Sequence, residues 1–144
     1  MKKCLVFLND INTVYGYICK PLCKKYHLTQ NALDILMFLA NNPEYKSAGD
    51  IVKIRKLKAN LVSINVEKMV QEGYLCRRNV EGDRRKIELI CTDKANPIIE
   101  EGRKIQEQFE NLLFSGMTQL EKERFQASLE NMRENLEEII KKES

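Results

Sequence analysis

Positive charge in this chain is gathered into one stretch, and any fold it adopts must carry that stretch on its outside. Residues 53–86 hold ten Lys/Arg against four Asp/Glu, a net of +6; the whole chain carries +3, which leaves −3 for the remainder. A field of one sign confined to so short a segment suits a polyanionic partner better than a uniformly solvated surface.

The apolar spacing inside the stretch says how it folds. Val62, Val66, Met69 and Gly73 recur at helical intervals and predict one buried face, with Asn60, Ser63, Ile64 and Glu67 on the opposite one. Gly73 is placed to end that helix. A strand is expected over Tyr74–Arg78, a turn at Val80-Glu81-Gly82-Asp83, and a second strand over Arg85–Cys91 with Ile87, Leu89 and Cys91 on one side. A helix followed by a hairpin with an arginine-rich tip is the layout of a winged helix-turn-helix. Its helix suits a major groove and its tip a neighbouring minor groove.

The flanks read as helices. The first is expected from Leu8 to Tyr26, with Ile11, Val14, Tyr15, Ile18, Leu22 and Tyr26 as its stripe and a bend at Pro21. Thr29 caps a second helix, whose buried face is Leu33, Leu36, Met37, Leu39 and Ala40, and Asn41-Asn42-Pro43 stops it. Ser47 with Asp50 caps a short third helix running to Arg55, and the basic helix begins near Lys58. Beyond the hairpin, Thr92 is expected to cap a helix with Ile98, Ile99, Ile105, Phe109, Leu112 and Leu113 on its apolar side. Gly102 sits inside that helix at a cost of about 1 kcal/mol, which implies a close neighbour. Thr118 and Glu121 form a capping box for a last helix, where Phe125, Leu129, Met132, Leu136 and Ile139 alternate spacings of four and three. The fold class expected is mostly α with a small β-hairpin wing. Residues 1–27 form an N-terminal dimerisation helix, 28–92 the winged lobe, and 93–144 the C-terminal dimerisation helices. The terminal helices carry more apolar stripe than one winged lobe covers, and a second copy of the chain is the simplest partner. Such a dimer sets two recognition helices about 34 Å apart, one turn of B-DNA.

The segment resembles the MarR-type transcriptional regulators. The resemblance rests on Ile51-Val52, then Ser63, Val66 and Met69, Gly73-Tyr74-Leu75 with Arg77 and Arg78, Asp83-Arg84-Arg85 at the wing tip, and Thr92 leading into a long helix. It covers most of the chain. Two departures are Lys58, where the family more often has a capping Ser or Thr, and Arg55 at a usually apolar position. The resemblance implies a homodimer joined through the terminal helices, here Ile11, Ile18, Phe125, Leu129, Met132, Leu136 and Ile139. It also implies a sequence-specific, ligand-responsive repressor on a pseudo-palindromic operator, with a small-molecule effector in the cleft between dimerisation helices and winged lobe.

The residues then take roles. Asn60, Ser63 and Ile64 face base edges, with Asn suited to adenine and Ile to a thymine methyl; Lys58 serves phosphates, and Glu67 accepts from a cytosine amine. Asp83 is expected to hold the Arg85 guanidinium and aim it into the minor groove, while Arg77, Arg78, Arg84 and Lys86 line phosphates.

Other classes fare worse. Cys19 and Cys23 share a helix face near Tyr15 and Tyr26, so an oxidant-sensing regulator is one alternative, weighed against thiols that simply pack. A winged-helix module that binds protein is another. Cys76 and Cys91 read as strand packing. His27 and scattered thiols supply no zinc set, and no cofactor is expected. No phosphate loop, nucleophile elbow or carboxylate pair is present, so the chain is not expected to be an enzyme. No apolar span suits a membrane, the apolar run Cys4–Leu8 is short for a secretory signal, and five cysteines without metal or redox spacing suit the cytoplasm.

Overall fold

The computed structural model describes residues 2–144. Its order is α1 (Lys2–Tyr26), α2 (Gln30–Asn41), α3 (Ala48–Asp50) continuing as a π-helical turn (Ile51–Arg55), and α4 (Ala59–Gln71). The hairpin β1 (Leu75–Val80) and β2 (Asp83–Cys91) follows, then a 3-10 turn (Asp93–Ala95), α5 (Asn96–Leu113) and α6 (Gln119–Glu143). The chain forms two compact units, one ending at Phe109 and the other Glu110–Ser144.

The first unit is built around α2. Thr29 caps it by accepting from the Ala32 amide, and seven of its residues, Ala32 to Met37 without Asp34 and then Phe38 and Leu39, are buried. Cys19 and Leu22 of α1, Ile51, Val62, Val66 and Met69, Leu75 and Leu89 of the hairpin, and Ile98 and Ile99 of α5 close the same core. Burial nearly all round α2, wider than the one face expected, marks it as the central element rather than a surface helix. Gly102 has the close neighbour its position implied: a Cβ there would lie 2.4 Å from the Met37 sulfur.

Two helix ends are set by left-handed residues. Gly73 (φ 83°) ends α4, with the Tyr74 amide donating to Met69 O. His27 does the same for α1 at φ 54°, with the Leu28 amide donating to Cys23 O, so the single histidine is a helix terminator.

Several expectations are corrected. α1 covers Lys2–Tyr26, so it takes in the Cys4–Leu8 run ahead of the expected start at Leu8, and it passes through Pro21 to the expected end. The third helix is not α-helical to Arg55; after Asp50 it widens to a π turn and stops at Lys56 (φ 61°). The Ser47–Asp50 capping box is present at its start. Thr92 makes no side-chain cap, because its hydroxyl donates instead to Gly73 O, tying the hairpin's end to the end of α4. Ile87 is 44% exposed although Leu89 is buried, since β2 has left the core by that point. Cys76 is exposed because strand alternation turns it to the face opposite buried Leu75.

In the second unit Thr118 and Glu121 form the expected capping box, and Phe114 stacks edge-on against Phe125 at 5.5 Å. Leu129, Met132, Leu136 and Ile139 are 49–59% exposed. Among the described residues no helix is long and apolar enough to cross a membrane.

Candidate nucleic-acid interface

Helix α4 presents the face its sequence implies. Val62, Val66 and Met69 are buried, while Asn60, Ser63, Glu67 and Ile64, 64% exposed, face out. Lys58 occupies the cap position without a side-chain bond. Asn65 lies on the buried side of α4 as a polar residue among apolar ones. It accepts from the Thr29 hydroxyl at 2.7 Å and donates to Leu61 O at 2.8 Å. The residue that caps α2 therefore also fixes the roll of α4 through an amide that periodicity alone assigns to no role.

The wing is a two-stranded antiparallel hairpin in which Leu75 opposes Cys91 and Asn79 opposes Ile87. Val80 then opposes Asp83, so Arg84, Arg85 and Lys86 have no opposite residue. This bulge throws three cations out at the tip. Gly82 (φ 85°) makes the turn that needs it. Asp83 does not hold the Arg85 guanidinium as expected. Its Oδ1 accepts from the Arg85 amide at 3.0 Å, an Asx turn that shapes the backbone and leaves the guanidinium outside any ion pair among the described residues.

Two of the expected phosphate ligands are already engaged. Arg77 donates to Glu67 at 2.7 Å, and Arg78 to Glu88 at 2.6 Å. Each arginine holds its partner carboxyl below the usual range. A groove of about 510 Å³ runs between α3, α4 and the hairpin, lined by Val52, Ala59, Ser63, Arg77, Ile87 and Leu89 among others.

A smaller cavity of about 210 Å³ lies on the other side of α2, between Tyr15, Asp34, Met37, Phe38, Asn41, Arg55 and Gln106. Arg55, brought round by the π turn, lies 3.3 Å from Asp34. Burial raises the Asp34 carboxyl, against a hydrogen bond from Gln30 and the Arg55 charge. Tyr15 is pushed up to about 12, chiefly by burial, and accepts a bond from Gln106. Cys19 is 1% exposed and Cys23 half-buried, and burial raises both thiols, which disfavours the thiolate that an oxidant switch requires. Among the described residues no cluster of metal-ligating side chains occurs.

A helix-turn-helix on a buried scaffold, followed by an arginine-tipped hairpin, defines a winged-helix protein. Residues 27–86 match the model of the MarR family. The sixty matched residues, under half of the chain, are similar to that family. No curated protein sequence matches it. Its fold is that of a MarR transcriptional regulator from Methanosarcina mazei Go1, at 20% identity and TM-score 0.80, over 96% of this chain and 99% of that one. A MarR-family regulator from Listeria monocytogenes, solved with a 26mer DNA, is 16% identical with TM-score 0.80, over 92% and 87% of the two chains. Bordetella bronchiseptica BpsR, whose DNA binding is regulated by 6-hydroxynicotinic acid, is 20% identical with TM-score 0.69, over 91% and 98%.

Proposed function

We propose that the chain is a sequence-specific DNA-binding regulator of transcription, a homodimeric repressor that two reading heads seat on a pseudo-palindromic operator. The observation that carries this is the pairing, in one lobe, of an outward α4 face with a wing tip whose Arg84, Arg85 and Lys86 have no strand partner. α4 enters the major groove with Asn60, Ser63 and Ile64 toward base edges, and Lys58 meets phosphate. Arg85 enters the minor groove from a backbone held by Asp83, with Arg84 and Lys86 on phosphates. Arg78 is freed for phosphate by exchange from Glu88.

Dimerisation is supported by the exposed seam Leu129, Met132, Leu136 and Ile139, with Phe125 at its start, and by Ile11 and Ile18 on α1. The relevant divisions are then an N-terminal helix over 1–27, a reading lobe over 28–92, and C-terminal helices over 93–144. Its effector is a small molecule bound in the cavity beside Arg55; BpsR, similar in fold, is a protein whose DNA binding is regulated by 6-hydroxynicotinic acid. The free thiols and the absence of a membrane-length apolar helix among the described residues support work in the cytoplasm, and the similarity of residues 27–86 to the MarR family supports a role without catalysis.

The test is Arg85→Ala in a salt-controlled titration against DNA selected from a random pool. Binding should weaken by about 1–3 kcal/mol per site with the melting temperature unmoved. Asp83→Asn keeps an acceptor for the Arg85 amide and should cost less than Asp83→Ala. Unaltered affinity for Arg85→Ala would remove the wing from the mechanism.

A further inference from the structure

The sequence suits one residue on the polar face of α4 to a cytosine amine, and the structure adds what holds it there. Glu67 is the only acidic residue of α4, exposed on the same side as Ser63 and Ile64 and one turn further along. A carboxylate brought against a polyanion is repelled, so its place on this face needs a compensating contact. Glu67 is also held. Its Oε2 accepts from the Arg77 guanidinium at 2.7 Å and its Oε1 from the Gln71 amide at 3.3 Å. Arg77 reaches it from β1 across the groove between hairpin and helix.

That pair is solvent-exposed on both sides, and exposed ion pairs contribute little to stability, so the fold does not depend on it. What it does is restrict where the carboxylate can lie and lessen its net charge toward phosphate. The wing meanwhile has Arg84, Arg85 and Lys86 outside any ion pair among the described residues, so cations for the backbone are supplied elsewhere. The donors that bases offer in the major groove are amines, and a carboxylate is suited to the cytosine N4 amine.

We propose that Glu67 is a specificity-determining residue that accepts a hydrogen bond from a cytosine amine in each half-site, and that Arg77 positions it instead of contacting phosphate. The proposal rests on the DNA-binding reading above. Arg77 donates to Oε2 and Gln71 to Oε1, which leaves the second lone pair of each oxygen for the base. The arrangement also keeps the carboxyl ionised, since Arg77 lowers its proton affinity.

The experiment is selection of bound DNA from a random pool with the full chain and with Glu67→Gln, Arg77→Ala and Arg77→Lys, with melting curves and salt titrations alongside. The wild type should enrich cytosine at one position of each half-site. Glu67→Gln should shift that position toward adenine, which an amide side chain can pair bidentately, and leave the others as they were. Arg77→Ala should blunt discrimination at the same position by roughly tenfold, without change in melting temperature or salt slope, and Arg77→Lys should restore part of it. Enrichment of any other base there in the wild type overturns the cytosine assignment, and an unmoved preference in Glu67→Gln overturns the role of Glu67. If Arg77→Ala weakens all sequences alike and lowers the salt slope by about one, Arg77 is a phosphate contact and the positioning role is lost. A wild type without affinity for any DNA sinks the DNA-binding reading and this proposal together, which the other failures do not.

Discussion

Helices α2 and α6 both carry regular apolar spacing, and they meet opposite fates. α2 has twelve residues, seven of them buried; α6 has twenty-five and none buried. The first finds its cover within the chain, on three sides, while the seam of the second stays half-exposed from Leu129 to Ile139. Periodicity in a sequence says that a face will be covered and is silent about what covers it. Burial in the single chain separates the two cases, and four variants would sharpen or break the distinction.

The largest effect is expected from Leu136→Asp with Ile139→Asp. Two carboxylates in a covered seam are costly to desolvate, so sedimentation at micromolar concentration should show the wild type near twice 16.8 kDa and the double variant as monomer or aggregate. A wild type that stays monomeric at high concentration would mean that α6 has no partner and that the contrast with α2 is only one of exposure. Next comes Leu33→Ala in α2, where the side chain is fully buried. It should lose about 2–5 kcal/mol of unfolding free energy, and the oligomeric state should not change once the variant is folded. Denaturant titration reads the first and sedimentation the second.

Gly102→Ala probes how tightly α2 is sheathed. The added methyl gains roughly 1 kcal/mol of helix propensity but meets the Met37 sulfur, and overpacking of that kind costs about 1–3 kcal/mol. The net should be a lower melting temperature, restored when Met37 is shortened in the same chain. A more stable Gly102→Ala would show slack around α2.

The smallest effect belongs to Asp34, the polar interruption on that buried helix. Its carboxyl is raised by burial, so the folded state binds the proton more tightly than the unfolded chain. The associated destabilisation is absent below the usual carboxylate range, grows as pH rises through the interval up to the folded value, and is constant above it. Asp34→Asn should therefore abolish the fall in stability with rising pH over that interval. Urea titrations at a series of pH values would show it as a change in slope, and parallel curves for the two proteins would rule it out.

Much of the fold was legible because its signals are local. Thr29, the Ser47–Asp50 and Thr118–Glu121 boxes, Gly73 and the Val62–Val66–Met69 face all act within a turn or two of their own positions. The parts that were not legible depend on distant partners or on backbone detail. Thr92 had a capping residue's chemistry but found Gly73 O nearer at hand. Asp83 was assigned to a guanidinium, when the amide two residues on is the partner that its short side chain reaches. Arg77 and Arg78 looked like free cations because Glu67 and Glu88 are each ten residues away along the chain. The π turn puts Arg55 against Asp34, which accounts for a charged residue at a position where the resemblance suggested an apolar one.

The surplus of β2 over β1 at the wing tip has a mechanical consequence. Three residues facing no partner are about 10 Å of contour length spliced in just beyond the last regular rung, anchored at one end by the Asp83 Asx turn. A paired ladder is stiff and would deliver an arginine at one fixed height. A spliced tip is compliant, so it can follow a groove whose width and depth vary with sequence and bending. On the proposed DNA contact, strain imposed by an imperfect half-site would be absorbed by a few backbone torsions in the wing instead of being passed into α4, and the helix would keep its alignment on bases whose neighbours are not ideal.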